Sequence, residues 1–137
     1  MSHSYRIAIL GTGMIAAKMA EALNFVDGSV KYAVASRSVE TAQAFAQKWG
    51  FEKAYGSYED VLKDKAVDVV YIATPHNLHF ENTMMCLERG KHVVCEKPMA
   101  VNSAEVTAMI NKAKEKGLFL MEAMWSRYIP AIVRLRE

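Results

Sequence analysis

The chain alternates between short β-branched apolar runs and longer stretches with apolar residues at helical spacing. Ile7, Ala8, Ile9 and Leu10 make the first run, a strand. It breaks at Gly11-Thr12-Gly13, and from Met14 a helical pattern continues to about Phe25, with Ile15, Met19, Ala22 and Leu23 on one face and Lys18 and Glu21 elsewhere. Asp27-Gly28-Ser29 stops that helix. Residues 30–35 form a second strand, and Ser38 caps a helix that runs to Trp49 and ends at Gly50, its apolar face being Ala42, Phe45, Ala46 and Trp49. Ala54-Tyr55 marks a short strand. Ser57 then caps a helix over residues 58–63, with Asp60 completing an acidic version of the capping box. Residues 67–73 are nearly all apolar, as a parallel strand covered on both faces requires. Thr74-Pro75 breaks this strand, and a helix follows over residues 78–89 up to Gly90. Residues 92–95 are the next strand. Ser103 caps a helix to about Lys116, with Val106, Met109, Ile110 and Ala113 apolar and Gly117 as its stop. Residues 118–121 form a last strand, residues 124–128 a loop or turn, and Pro130 opens a final helix.

Strands alternating with helices predict an α/β fold, a doubly wound parallel sheet. Right-handed crossovers then place a ligand site at the carboxyl ends of the strands. The unusual polar residues sit at those ends: Gly11 and Gly13, Ser36 and Arg37, residues 74–79, residues 96–98 and residues 122–127. No repeat, low-complexity segment or linker interrupts the pattern. A length of 137 residues suits one domain with a core of its own. The net charge of +2 comes without a basic run carrying interleaved aromatics, which argues against a nucleic-acid partner. No apolar run reaches the length of a membrane span, and the start has no signal-peptide pattern. Cys86 and Cys95 lie in apolar surroundings and read as buried reduced thiols, so a cytoplasmic protein without membrane contact is expected.

Gly11-x-Gly13-x-x-Ala16, set between a strand and a helix, has the form of a Rossmann dinucleotide turn. Gly11 permits the sharp exit from the strand, Gly13 lets the backbone approach a pyrophosphate, and Ala16 lets the helix pack close to the sheet. The first N–H groups of the helix (residues Thr12 to Ile15 in this sequence) face the phosphates, and the helix dipole favours them. In this type of site an acidic residue at the end of the second strand binds the ribose hydroxyls of NAD. Here the position carries Ser36-Arg37, a hydroxyl and a guanidinium suited to the 2′-phosphate of NADP, so NADP(H) is favoured over NAD(H) and over FAD.

On the other side, Thr74, Pro75, Asn77 and His79 read as a cofactor-contacting loop, with Asn77 also able to cap the helix that follows. His76 and His79 lack a carboxylate or cysteine at matching spacing, so no metal is expected. Glu96-Lys97-Pro98 is the sharper signal. A lysine at a strand's carboxyl end, between an apolar strand and a proline, is expected to be partly buried, with a lowered pKa and a part in proton exchange. Glu96 orients it or binds ribose hydroxyls, and Pro98 is a candidate for a cis bond.

Together these residues resemble the glucose–fructose oxidoreductase / inositol dehydrogenase (Gfo/Idh/MocA) family. The match covers nearly the whole chain: the 11–16 turn, Ala35-Ser36-Arg37, residues 54–58, Thr74-Pro75 with Asn77 and His79, and Cys95-Glu96-Lys97-Pro98-Met99, of which Glu-Lys-Pro is the most specific. Residues 117–128 look most like the dihydrodiol dehydrogenase and xylose dehydrogenase branch, which the resemblance implies is NADP-dependent. It further implies hydride transfer between nicotinamide and a CH–OH group of a sugar, polyol or diol, with Lys97 catalytic beside the reacting oxygen. Trp125 and Arg127 then lie near the cofactor, or serve as core aromatic and surface cation. Residues 1–123 are expected to be the NAD(P)-binding domain. Residues 124–137 are expected to begin the connection to a C-terminal domain for substrate and homo-oligomer contacts, which makes this chain a fragment that is inactive alone. A non-catalytic dinucleotide-binding sensor on the same fold is the alternative.

Overall fold

A computed structural model describes residues 3–137. The alternation read from the sequence is present throughout: β1 (Tyr5–Leu10), α1 (Met14–Ala22), a 3-10 turn (Leu23–Phe25), β2 (Ser29–Ala35), α2 (Val39–Trp49), β3 (Lys53–Tyr55) and α3 (Tyr58–Lys63) form the first half. The second half is β4 (Val69–Ile72), a 3-10 turn (His76–Leu78), α4 (His79–Glu88), β5 (His92–Glu96), α5 (Ser103–Lys116), β6 (Leu120–Ala123), a 3-10 turn (Trp125–Tyr128) and α6 (Pro130–Arg136). The strands make one parallel sheet in the order β3-β2-β1-β4-β5-β6. The chain runs outward through β2 and β3, then returns to the centre and builds outward again from β4. The order reverses between β1 and β4, which opens a crevice at their carboxyl ends.

Each central strand is apolar on both faces because helices cover both. Ala8 and Leu10 point to the layer of α3, α4 and α5, where Val61, Leu62, Cys86, Leu87 and Met109 are buried. Ile9 points to the opposite layer, against Ala16, Ala20, Phe45 and Ala46. The buried stripe of α1 and the turn after it is therefore Ala16, Ala20 and Leu23, and this corrects the face expected from Ile15, Met19, Ala22 and Leu23. The tight glycine turn brings the helix so close that only alanine fits beneath it, and Met14 and Ile15 are left outside.

Further boundaries differ from expectation, and β4 is shorter at both ends than residues 67–73. Asn102, not Ser103, caps α5, its Oδ1 accepting from Glu105 N at 2.9 Å while Glu105 Oε2 accepts from Val101 N at 3.3 Å. β6 begins two residues late because Leu118 N donates back to Ala113 O at 2.9 Å, closing the end of α5 before pairing starts. The Ser38 and Ser57 caps are as read, with Ser38 Oγ accepting from Thr41 N and Ser57 Oγ from Asp60 N.

Candidate functional site

The crevice begins with the glycine turn. Gly11 has φ of +101°, and a Cβ there would sit 2.8 Å from the carbonyl oxygen of Ala73. Only glycine can bring the end of β1 this close to the end of β4. Gly13 is extended, and a Cβ built on it meets no protein atom within 4 Å. Its missing side chain leaves open space above the first turn of α1. That turn has no side-chain cap and no acidic residue, whereas α2, α3 and α5 are capped by Ser38, Ser57 and Asn102. Uncapped N–H groups facing open space at the positive end of a helix suit an anion, so the turn fits a pyrophosphate.

A cleft of about 380 Å³ extends from this turn. Gly11, Thr12 and Gly13 line its floor, Ser36 and Arg37 its β2 side, and Thr74 and Pro75 its β4 side. Ser36 is buried, while the Arg37 guanidinium is exposed and forms no hydrogen bond or ion pair among the described residues. Tyr58, Ala73, His76 and Leu78 complete the lining. Tyr58 was not expected at the cleft, since it reads as the first residue of α3, and His76 was read only within the 74–79 loop and as a rejected metal ligand.

The remaining expected residues lie around the cleft or beneath it. Met14 and Ile15 are exposed at the start of α1. Asn77 is exposed and does not cap α4, whose N-cap residue Leu78 supplies no side-chain bond. His79, expected to contact the cofactor, is completely buried under the rim. Its Nε2 faces Thr74 O at 2.9 Å and its Nδ1 faces Pro98 O at 2.7 Å, so it joins two loops and presents no polar atom to the cleft. Thr74 is held again by Asn82, whose Nδ2 donates to Thr74 Oγ1 at 2.8 Å.

Ile72 pairs with Cys95, which sets Lys97 level with Thr74 one strand away. The Lys97–Pro98 bond is cis. Lys97 is exposed, which corrects the expected partial burial, because none of the described residues packs over the end of β5. Glu96 beside it is buried, and both of its oxygens are engaged. The Tyr71 hydroxyl donates to Oε1, and Lys97 N donates to Oε2 at 3.1 Å. Burial, with the Glu96 carboxylate next to it, pushes the Tyr71 hydroxyl far above its ordinary pKa, so it stays protonated as the donor. Met99 N donates to Glu122 Oε2 at 2.7 Å. Tyr71 was missed in the sequence, and Glu122 was read only as one of the polar residues at strand ends, although each places one polar group inside an apolar strand, which demands a partner. Trp125 and Arg127 are exposed on the turn after β6 and lie outside the cleft lining. Cys86 and Cys95 are buried free thiols, and burial raises the Cys95 pKa to about 11. Among the described residues, no group of three His, Cys, Asp or Glu could hold a metal ion, and no helix is long and apolar enough to cross a membrane.

A family model described as "Oxidoreductase family, NAD-binding Rossmann fold" (Gfo/Idh/MocA) matches residues 5–124. The chain belongs to this family. Among its relatives, the trans-1,2-dihydrobenzene-1,2-diol dehydrogenase of Mus musculus is 48% identical over 134 residues, 96% of this chain and 40% of its own length. The chain thus spans about 40% of the curated Gfo/Idh/MocA relatives it matches. Levoglucosan dehydrogenase, solved with NADH and L-sorbose, superposes with a TM-score of 0.90 at 29% identity, covering 96% of this chain and 37% of that one. A 3-ketoreductase from Actinomadura kijaniata, solved with TDP-benzene and NADP, superposes with a TM-score of 0.92 at 30% identity, covering 97% of this chain and 42% of that one. The solved structures that this chain resembles therefore include both an NADH and an NADP complex.

Proposed function

We propose that residues 1–123 are the cofactor domain of an NADP(H)-dependent oxidoreductase that transfers hydride between nicotinamide and a CH–OH group of a sugar, polyol or trans-dihydrodiol. The observation that carries the cofactor choice is the Arg37 guanidinium, exposed on the β2 side of the cleft beside the Ser36 hydroxyl, with no carboxylate at that strand end. A 2′-phosphate finds a bidentate donor there, and ribose hydroxyls without the phosphate find no carboxylate to accept from them. The uncapped first turn of α1, with Gly13 open above it, takes the pyrophosphate. Thr74 and Lys97 then flank the nicotinamide end. Bound there, the nicotinamide supplies the hydride chemistry. Lys97 stands beside the reacting oxygen, where its ammonium donates a hydrogen bond to it or relays its proton. Glu96 fixes the Lys97 backbone, and Tyr71 fixes Glu96. The substrate class follows from the names of the relatives, above all the dihydrodiol dehydrogenases. Residues 124–137 lead toward the part of the relatives that this chain does not span, where we place the substrate and oligomer contacts. The isolated chain binds cofactor and turns over little or nothing.

Titration with NADPH and NADH, read by nicotinamide fluorescence or calorimetry, tests the proposal. NADPH is expected to bind at least about tenfold tighter, a difference of 1.4 kcal/mol, and Arg37→Asp is expected to abolish that preference. Equal binding, or binding that favours NADH, would overturn the NADP assignment. Steady-state dehydrogenase turnover by this chain would overturn its assignment as a cofactor domain only.

A further inference from the structure

One peptide group beside the cleft is gripped from both ends. The carbonyl of Pro98 faces His79 Nδ1 at 2.7 Å, and the N–H on the other side of the same peptide plane, that of Met99, donates to Glu122 Oε2 at 2.7 Å. A carbonyl only accepts, so His79 Nδ1 carries a hydrogen. The second ring nitrogen, Nε2, lies 2.9 Å from the carbonyl of Thr74, which also only accepts. A neutral imidazole has a single N–H and cannot satisfy both. The ring is 0% exposed, so solvent does not supply the missing partner. Only the imidazolium makes both bonds.

We propose that His79 is doubly protonated in the folded protein, and that His79 and Glu122 are positioning residues that clamp the Pro98–Met99 peptide and so hold Lys97 at the cleft. The part concerning Lys97 rests on the function proposed above. Each end of the peptide dipole faces the charge it prefers: the carbonyl faces the cation and the N–H faces the carboxylate. Through that peptide Glu122 supplies the counter-charge a buried cation needs. The arrangement also works against one local effect, because His79 is the first residue of α4, where the helix dipole is positive. Two carbonyl acceptors and the nearby carboxylate outweigh it. Via Thr74 the clamp ties the loop after β4 to the loop after β5, the two lips that flank the nicotinamide end.

The other titratable groups on the surrounding elements are accounted for. Cys86 on α4 and Cys95 on β5 are kept as neutral thiols by burial. Glu96 is bound to Tyr71 and to Lys97 N, and Glu105 on α5 to Val101 N. Glu81 on α4 and Lys97 are exposed. His76 is the remaining titratable neighbour, its ring centroid 5.5 Å from that of His79.

Nitrogen-15 spectra of the histidine rings test the clamp directly, recorded at about pH 7, where histidine charge states are distinguishable, in the wild-type chain and in His76→Gln. Attached protons on both nitrogens of His79 are expected, and a neutral ring with a bare Nε2 would overturn the proposal. In Glu122→Ala the Met99 amide should exchange with solvent at least about tenfold faster, and unaltered exchange would remove Glu122 from the clamp. The positioning role is read by NADPH titration of His79→Gln, for which about a tenfold loss of affinity is expected from misplaced loops. Wild-type affinity in that variant would overturn it. If the wild-type chain binds no NADPH, the cofactor reading fails, and the ring spectra still decide the clamp.

Discussion

At the scale of single residues, the two glycines of the turn do different work, and substitution separates them. An alanine at position 11 must hold a φ of +101° with its methyl 2.8 Å from a backbone oxygen. Neither the strand end nor the carbonyl of Ala73 can move without breaking the β1–β4 pairing. Gly11→Ala is expected to cost about 2–4 kcal/mol of stability, read as a lowered thermal midpoint, with cofactor binding lost as a consequence. Gly13 is already in an extended conformation open to any residue, and nothing crowds it. Gly13→Ala should leave stability unchanged or raise it by up to about 1 kcal/mol. Its NADPH affinity should nonetheless fall about tenfold, or 1.4 kcal/mol, because the methyl occupies the space reserved for phosphate. A Gly13→Ala chain that folds and binds NADPH like the wild type would place the pyrophosphate elsewhere.

Among the elements, the short helix α3 and the edge strand β3 are held by one carboxylate. Asp64 Oδ2 accepts from Tyr32 Oη at 3.0 Å, Tyr55 Oη at 2.7 Å and Lys53 Nζ at 2.9 Å, and Oδ1 accepts from Ala66 N at 2.9 Å. The Lys53 and Tyr55 hydrogen bonds hold its pKa well below the usual carboxylate range. A carboxylate more acidic in the folded than in the unfolded chain stabilises the fold fully above its unfolded pKa of about 4, and this contribution is lost as the pH falls below that value. Asp64→Ala should cost about 2 kcal/mol at neutral pH and flatten the fall of the thermal midpoint on acidification. Equal acid sensitivity in wild type and variant would assign that fall to other groups. None of this cluster was legible in the sequence, because its members come from two strands and the loop after α3 and their spacing carries no period. The strand–helix alternation and the glycine turn were legible, since each is written within a dozen consecutive residues. So were Ser36, Arg37 and Lys97, as polar residues at strand ends. The burial of His79 and the engagement of Glu96 were not, because they depend on which loops topology brings together. The cap of α5 was misplaced by one residue because Asn102 and Ser103 are both good caps and only backbone geometry chooses between them.

For the whole molecule, helix cover is uneven. On the side of α1 and α2, those helices cover β1 to β3, while Val69, His92, Val94, Met121 and Ala123 of β4 to β6 remain half-buried. A hollow of about 340 Å³ lined by Tyr5, Val69, His92 and Phe119 opens on this face. Trp125, Tyr128 and Leu135 add exposed apolar surface near the end of the chain. Surface of this kind drives association, so sedimentation at rising concentration should show growing oligomers, with Leu135→Lys and Trp125→Ser reducing them. A monomer at all concentrations would show that the surface is tolerated. The strand order has one more consequence, for the time at which the chain becomes itself. β1 lies at the centre of the sheet, yet its second neighbour arrives much later: Arg6 N meets its partner, the Asp68 carboxylate, 62 residues downstream. As the polypeptide leaves the ribosome, the first strand waits with one edge bare until β4 has been made. The crevice lies along that last seam, so a nascent chain cannot capture a nucleotide until its two halves have joined.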